Sequence, residues 1–123
     1  MRRFIAIALA VFASAFVLPS AAASAEGASS AGCYEGAVGY SKSDGNEYPQ
    51  GIFFTATGDC SDINIKPNAG VFVKVCFLGG PCQPSFTVAP AGRWTAVATG
   101  VRSGANFVYQ FSSTAPTDGA MAF

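Results

Sequence analysis

From about position 33 onward, apolar and polar residues alternate with a period of two in short runs, and proline or glycine interrupts the pattern roughly every ten residues. The runs fall at 36–41, 52–57, 62–66, 71–78, 85–89, 93–99 and 106–112, with 120–123 a possible closing edge. Between them lie SDGN (43–46), Pro49, Gly58-Asp59, Pro67-Asn68, Gly79-Gly80-Pro81, Pro90-Ala91-Gly92, Ser103-Gly104 and Pro116. After position 25, no segment repeats apolar residues at helical spacing over ten positions, so essentially no helix is expected. The pattern predicts an all-β fold: a small antiparallel β-sandwich or barrel of about 7–8 short strands.

Alternation also assigns faces. Ile63 and Ile65 point one way and Asp62, Asn64 and Lys66 the other, as in a half-buried strand. Phe107, Tyr109 and Phe111 share a face opposite Asn106, Gln110 and Ser112. Val71, Val73, Val75 and Phe77 line up likewise, which sends Lys74 and Cys76 to the reverse side. These residues, with Ile52, Phe54, Phe86, Val97 and Val101, form the expected core. One register is open. If Cys76 faces Cys82 across a simple hairpin, Val73 pairs with Ser85, and Phe86 falls opposite Phe72, away from Val73 and Val75. A one-residue slip flips every side chain, so either a bulge near Pro81 or Pro84 corrects this or the two segments are not direct partners.

The first 25 residues read differently from the rest. Arg2 and Arg3 are followed by an apolar stretch from 4 to 18 broken only by Ser14, then Pro19 and the small-x-small triplet Ala23-Ser24-Ala25. These are the three parts of a secretory signal peptide, with cleavage expected after Ala25. An apolar stretch of about 15 residues is too short for a ~30 Å hydrocarbon core, so no membrane association is expected after cleavage. The organisation is thus a signal peptide at 1–25, a flexible leader at 26–32 (EGASSAG) and a single secreted, extracellular β-domain at 33–123. Cleavage leaves five Lys and Arg against seven Asp and Glu, a net charge of −2. Without a basic patch there is no electrostatic basis for nucleic acid as a partner.

Four cysteines, Cys33, Cys60, Cys76 and Cys82, in an exported chain of this size read as two disulfides with three possible connectivities. Cys33 with Cys60 and Cys76 with Cys82 is the favoured set. A metal site is not expected, because the chain has no histidine and no C-x-x-C pair; no cofactor is expected either.

The lack of histidine removes Ser-His-Asp and Cys-His machinery, and disulfide-bonded cysteines offer no thiolate. A carboxylate pair could still cleave glycosidic bonds, with Asp59 and Asp62 the nearest candidates and Glu35, Asp44 and Glu47 within reach if the first loop folds back. The simpler reading makes Asp59 and Asp62 turn residues that bind nearby backbone amides. The same holds for a calcium site, since neither DCSDIN nor SDGNE matches the twelve-residue EF-hand loop. Tyr34, Tyr40, Tyr48 and Trp94 stand in or beside turn-rich polar sequence, where a ring with one polar edge can stack on sugars or anchor a protein. They are the candidate binding residues, with Trp94 also a candidate core indole.

The combination CSDINIKP, V-x-V-C-F, a second nearby cysteine, A-G-R-W-T-x-x-A-T-x-V and S-G-x-x-F resembles a group of small, signal-peptide-bearing secreted proteins of actinobacteria that have no assigned activity. The resemblance spans 33 to about 112 and implies export and disulfide bonding. V-A-P-x-G followed by T-x-V and a distal Gly is similar to the tendamistat-type α-amylase inhibitors, although their Trp-Arg-Tyr tripeptide is missing and Arg93-Trp94-Thr95 runs in another order. The small-loop disulfide in a sandwich is also similar to the chromoprotein-type antibiotic carriers.

These observations lead to the expectation of a secreted, disulfide-stabilised, non-catalytic binding or interaction module, not an enzyme, whose partner is an extracellular protein or glycan. The alternatives are an inhibitor of a secreted hydrolase that presents a rigid turn such as FLGGP, and a minimal carboxylate-dependent glycan hydrolase.

Overall fold

The computed structural model describes residues 31–123. The expected signal peptide and residues 26–30 of the expected leader lie outside the described residues. Ala31 and Gly32 open a single helical turn, α1 (Ala31–Glu35), where no helix was expected. Nine strands follow: β1 (Val38–Lys42), β2 (Glu47–Tyr48), β3 (Phe54–Thr55), β4 (Ile63–Pro67), β5 (Val71–Phe77), β6 (Thr87–Ala89), β7 (Thr95–Ala98), β8 (Asn106–Phe111) and β9 (Thr117–Ala122).

They form two antiparallel sheets. One has the order β1-β9-β4-β7; the other runs β2-β8-β5-β6, with β3 also on β8. β2 and β3 lie along different parts of β8, Glu47 opposite Gln110 and Phe54 opposite Phe107, so together they act as one interrupted edge strand. The interruption contains the cis Tyr48–Pro49 peptide and leaves Ile52 68% exposed. Ile52 is therefore not a core residue, because β3 starts only at Phe54.

The two sheets close on one shared core. From the five-stranded sheet come Val73, Val75, Phe107, Tyr109 and Phe111; from the four-stranded sheet come Ile63, Ile65, Val97 and Met121. Burying each such side chain stabilises by about 1.5–3 kcal/mol, and the period-two alternation of β5 and β8 delivers one inward residue in every two. Phe107 and Tyr109 are fully buried and meet edge to face, their centroids 5.6 Å apart. Two hydrogen bonds tie sheet to sheet across this core. The Tyr109 hydroxyl donates to the Asn64 carbonyl at 2.9 Å, and Gln83 Nε2 donates to the Val97 carbonyl at 2.9 Å.

β4 departs from the half-buried pattern. Asn64 is fully buried and Asp62 nearly so, because α1 and its disulfide cover the outer side of the strand there. Asn64 Nδ2 donates to the carbonyls of Asp62 and Ala122 and lies 3.7 Å from Cys33 Sγ. β4 and β5, joined at PNAG, belong to different sheets, so this turn is a crossing between layers and not a hairpin.

β5 and β6 are direct partners, and their register carries a slip of two residues. Cys76 faces Cys82 in an isolated bridge, yet Phe72 pairs with Val88 and Val73 with Thr87. The extra pair is absorbed within 83–86. An even slip preserves faces, so Val73 stays inward and Phe86 stays outward, 39% exposed. Phe86 is thus excluded from the core. Gln83 fills the gap: its N–H donates to the Val75 carbonyl and its Oε1 accepts from the Val75 N–H, both at 2.9 Å.

Both disulfides have the favoured pairing, Cys33–Cys60 and Cys76–Cys82. Two disulfides in a domain of this size fit an extracellular environment.

Candidate binding surface

The four candidate aromatic residues separate into two pairs. Tyr34 and Trp94 pack with their rings tilted by 35° and centroids 4.9 Å apart, half-buried over the Cys33–Cys60 disulfide, with the Lys66 ammonium 5.9 Å above the indole. Trp94 belongs to this satellite cluster and not to the central core. Tyr40 is 4% exposed and lies between Tyr48 (5.8 Å) and Phe111 (6.1 Å), its hydroxyl hydrogen-bonded to that of Thr117 at 3.2 Å. Tyr48 packs against the central core. Burial raises the Tyr40 phenol above its ordinary 10.0, the Thr117 bond opposes this, and the Asp118 carboxylate adds to it. The rings do not converge on one exposed platform.

Asp62 does not bind a nearby turn amide as expected but reaches a distant one, 38 residues away. Its Oδ1 accepts from the Gly100 N–H at 3.2 Å, and the Val101 N–H donates to the Ser61 carbonyl at 2.8 Å, so Asp62 holds the β7–β8 connection against the start of β4. Asp59 is exposed, and its N–H donates to Thr57 Oγ1. Among the described residues, no three acidic or cysteine side chains gather as metal ligands.

Lys42 is the buried cation among the described residues, 2% exposed at the end of β1. Its ammonium donates to the carbonyls of Gly45 and Ala115 at 2.7 Å and of Ser43 at 3.3 Å, and it sits 5.3 Å from the Phe111 ring. Desolvation lowers its pKa from 10.5, against the pull of the Asp44 carboxylate. All three ammonium protons have acceptors, so Lys42 clips 43–45 to 115. A cleft of about 220 Å³ opens beside it, between Phe72, Ser112 and Asp118.

Among the described residues, four exposed large apolar side chains lie on or beside the outer side of β5 and β6. Phe72 and Val88, directly paired, are 55% and 60% exposed. Phe86 lies over the Lys74 ammonium at 4.6 Å, and Leu78, in the loop cinched by Cys76 and Cys82, is 47% exposed. Register places Glu47, Gln110 and Lys74 in one row across β2, β8 and β5, so a carboxylate and an ammonium flank the sheet on the same face. Alternation already sends Phe72 to the same side as Lys74 and Cys76. That facing was the signal in the sequence that could have found this surface, whereas the candidate binding residues rest on aromatic type beside turns.

No family model, no curated protein and no solved structure matches this chain.

Proposed function

We propose that this protein is a secreted, non-catalytic interaction module that docks an extracellular protein through the outer face of β5 and β6 and the adjoining FLGGP loop. The observation that carries this reading is the run of exposed Phe72, Val88, Phe86 and Leu78 beside the Lys74 ammonium. Contiguous apolar surface rimmed by charge marks interaction sites on small domains. A protein partner is favoured over a glycan because the strip is aliphatic and phenyl, with few hydrogen-bonding groups, and the Tyr34–Trp94 pair that could stack a sugar is half-buried under Lys66. The absence of an enzymatic role is part of the proposal and is supported by the turn-holding contact of Asp62.

A second reading has its own observation. The loop closed by Cys76–Cys82 presents Leu78 at the tip of a cinched turn with Gly79 at φ 75°, the form in which an inhibitor offers a fixed side chain to a hydrolase pocket.

The experiment is affinity retention of extracellular proteins by the oxidised protein, with Phe72→Ser/Val88→Thr and Leu78→Ser as variants. Docking through the strip predicts that the double variant loses retention of a specific protein while its thermal midpoint is unchanged. Loss with Leu78→Ser alone, together with inhibition of the retained hydrolase, selects the inhibitor reading. Turnover of a glycan that Asp59→Asn abolishes would contradict both.

A further inference from the structure

We propose that Cys76–Cys82 is an exchangeable disulfide, opened at Cys82 by an external dithiol, and that opening frees the FLGGP loop while the sandwich stays closed. The two disulfides stand in opposite environments. Cys33 and Cys60 are 2% and 5% exposed beneath Tyr34 and Trp94. Cys82 is exposed and Cys76 half-buried, and both line a hollow of about 190 Å³ with Glu47, Val108 and Gln110. Exchange requires a thiolate to reach one sulfur along a clear approach; the exposed Cys82 offers one, whereas Cys33, although it borders a hollow of about 150 Å³, is only 2% exposed.

The same geometry sets the direction. An incoming thiolate meets Cys82 first, so Cys76 is the leaving group. Cys76 Sγ lies 3.3 Å from Gln110 Oε1; a disulfide sulfur carries no proton, so this is a contact and not a hydrogen bond. A half-turn of the amide presents Nε2–H to the same sulfur, and an amide donor stabilises a departing thiolate. The reductant's first sulfur bonds to Cys82 as the Cys76–Cys82 bond breaks and Cys76 leaves with the electron pair. The reductant's second thiol then attacks its own first sulfur and releases Cys82. The dithiol becomes a disulfide, and Cys76 and Cys82 take up the two protons it gives.

The fold does not depend on this bond. Immediately after Cys82, Gln83 pairs both polar backbone groups of Val75 and reaches Val97 in the other sheet, and three registered pairs from Val71 to Val73 hold β6. The base of the loop is therefore fixed whether or not the sulfurs are joined. Glu47 in the hollow adds a charge preference, since a carboxylate there disfavours an anionic thiol relative to a cationic one.

The test is timed reduction of the oxidised protein with dithiothreitol, followed by alkylation, peptide mapping and circular dichroism. Cys76 and Cys82 should be labelled at least about tenfold faster than Cys33 and Cys60, with the β signal unchanged. A monothiol should leave its adduct on Cys82. Cysteamine should outpace mercaptoethanesulfonate, with the gap narrowed in Glu47→Gln. Gln110→Leu should slow opening without lowering the thermal midpoint. Simultaneous opening of both bonds, loss of sheet signal on opening, or an adduct on Cys76 would overturn the proposal.

Discussion

Lys42 shows how much of this fold is decided by single polar groups. A lysine at the end of an amphipathic run reads as surface, yet its ammonium is the common donor for three loop carbonyls. Lys42→Met keeps the stem and removes the donor, leaving those carbonyls without it; the expected loss is about 2–3 kcal/mol, read as a lower denaturant midpoint. Tyr109 is its counterpart at the centre. Burial first, and the nearby Tyr40 second, raise its phenol well above 10.0. Below pH 10 the group is protonated in both states and contributes nothing to pH dependence. Above it the unfolded chain ionises first, so stability falls as pH rises. The tyrosinate absorbance of Tyr40 and Tyr109 should therefore appear together with loss of β signal in an alkaline titration, and Tyr109→Phe should flatten that fall. Neither role was legible in the sequence, because Tyr109 depends on Asn64, 45 residues away, and Lys42 joins its near neighbours Ser43 and Gly45 to Ala115, 73 residues away.

At the scale of elements, β9 and the β5–β6 hairpin repay comparison with their sequence patterns. The closing edge expected at 120–123 starts earlier, at Thr117, and Gly119 lies within it, opposite Tyr40 of β1 and Pro67 of β4. A Cβ there would collide with the Lys66 carbonyl oxygen and come within 2.8 Å of the Pro67 Cα and 2.9 Å of the Tyr40 ring. Glycine is needed for close approach, not for a turn. Gly119→Ala is expected to cost about 1–3 kcal/mol through overpacking, measurable as a lower thermal midpoint, whereas Ala120→Ser next to it should be near neutral. The alternations of β5 and β8 were legible and correct, as were the two cysteine pairs. The sheet to which each strand belongs was not, since β4 and β5 look like a hairpin until the crossing at 68–70 is seen. The disulfides differ at this scale too. Cys33→Ser/Cys60→Ser releases a loop of about 28 residues, and the chain-entropy model gives about 3.6 kcal/mol. Cys76→Ser/Cys82→Ser releases about 7 residues for about 2.4 kcal/mol or less, because Gln83 continues to hold the base of its loop. Urea unfolding of the two double variants checks the order.

For the whole molecule, the asymmetry is between faces. Part of the outer side of the four-stranded sheet is covered by α1, the Cys33–Cys60 disulfide and the Tyr34–Trp94 pair. The outer side of the five-stranded sheet leaves Phe72, Phe86 and Val88 open beside Lys74 and the exchangeable disulfide. Aromatic type beside turns picks out rings that brace the fold, as Tyr40 in the core and the Tyr34–Trp94 pair over the disulfide do. Facing within β5 was the better criterion, because an outward phenylalanine next to a lysine is anomalous in a way a tyrosine beside a turn is not. The most direct measurement is photo-crosslinking of extracellular proteins with a photoreactive side chain placed in turn at 72 and 88, and at the exposed control positions 41 and 66 on the other sheet. Docking through the outer face of β5 and β6 predicts a discrete adduct from 72 and 88 and none from 41 or 66. Adducts from the control positions alone would contradict it.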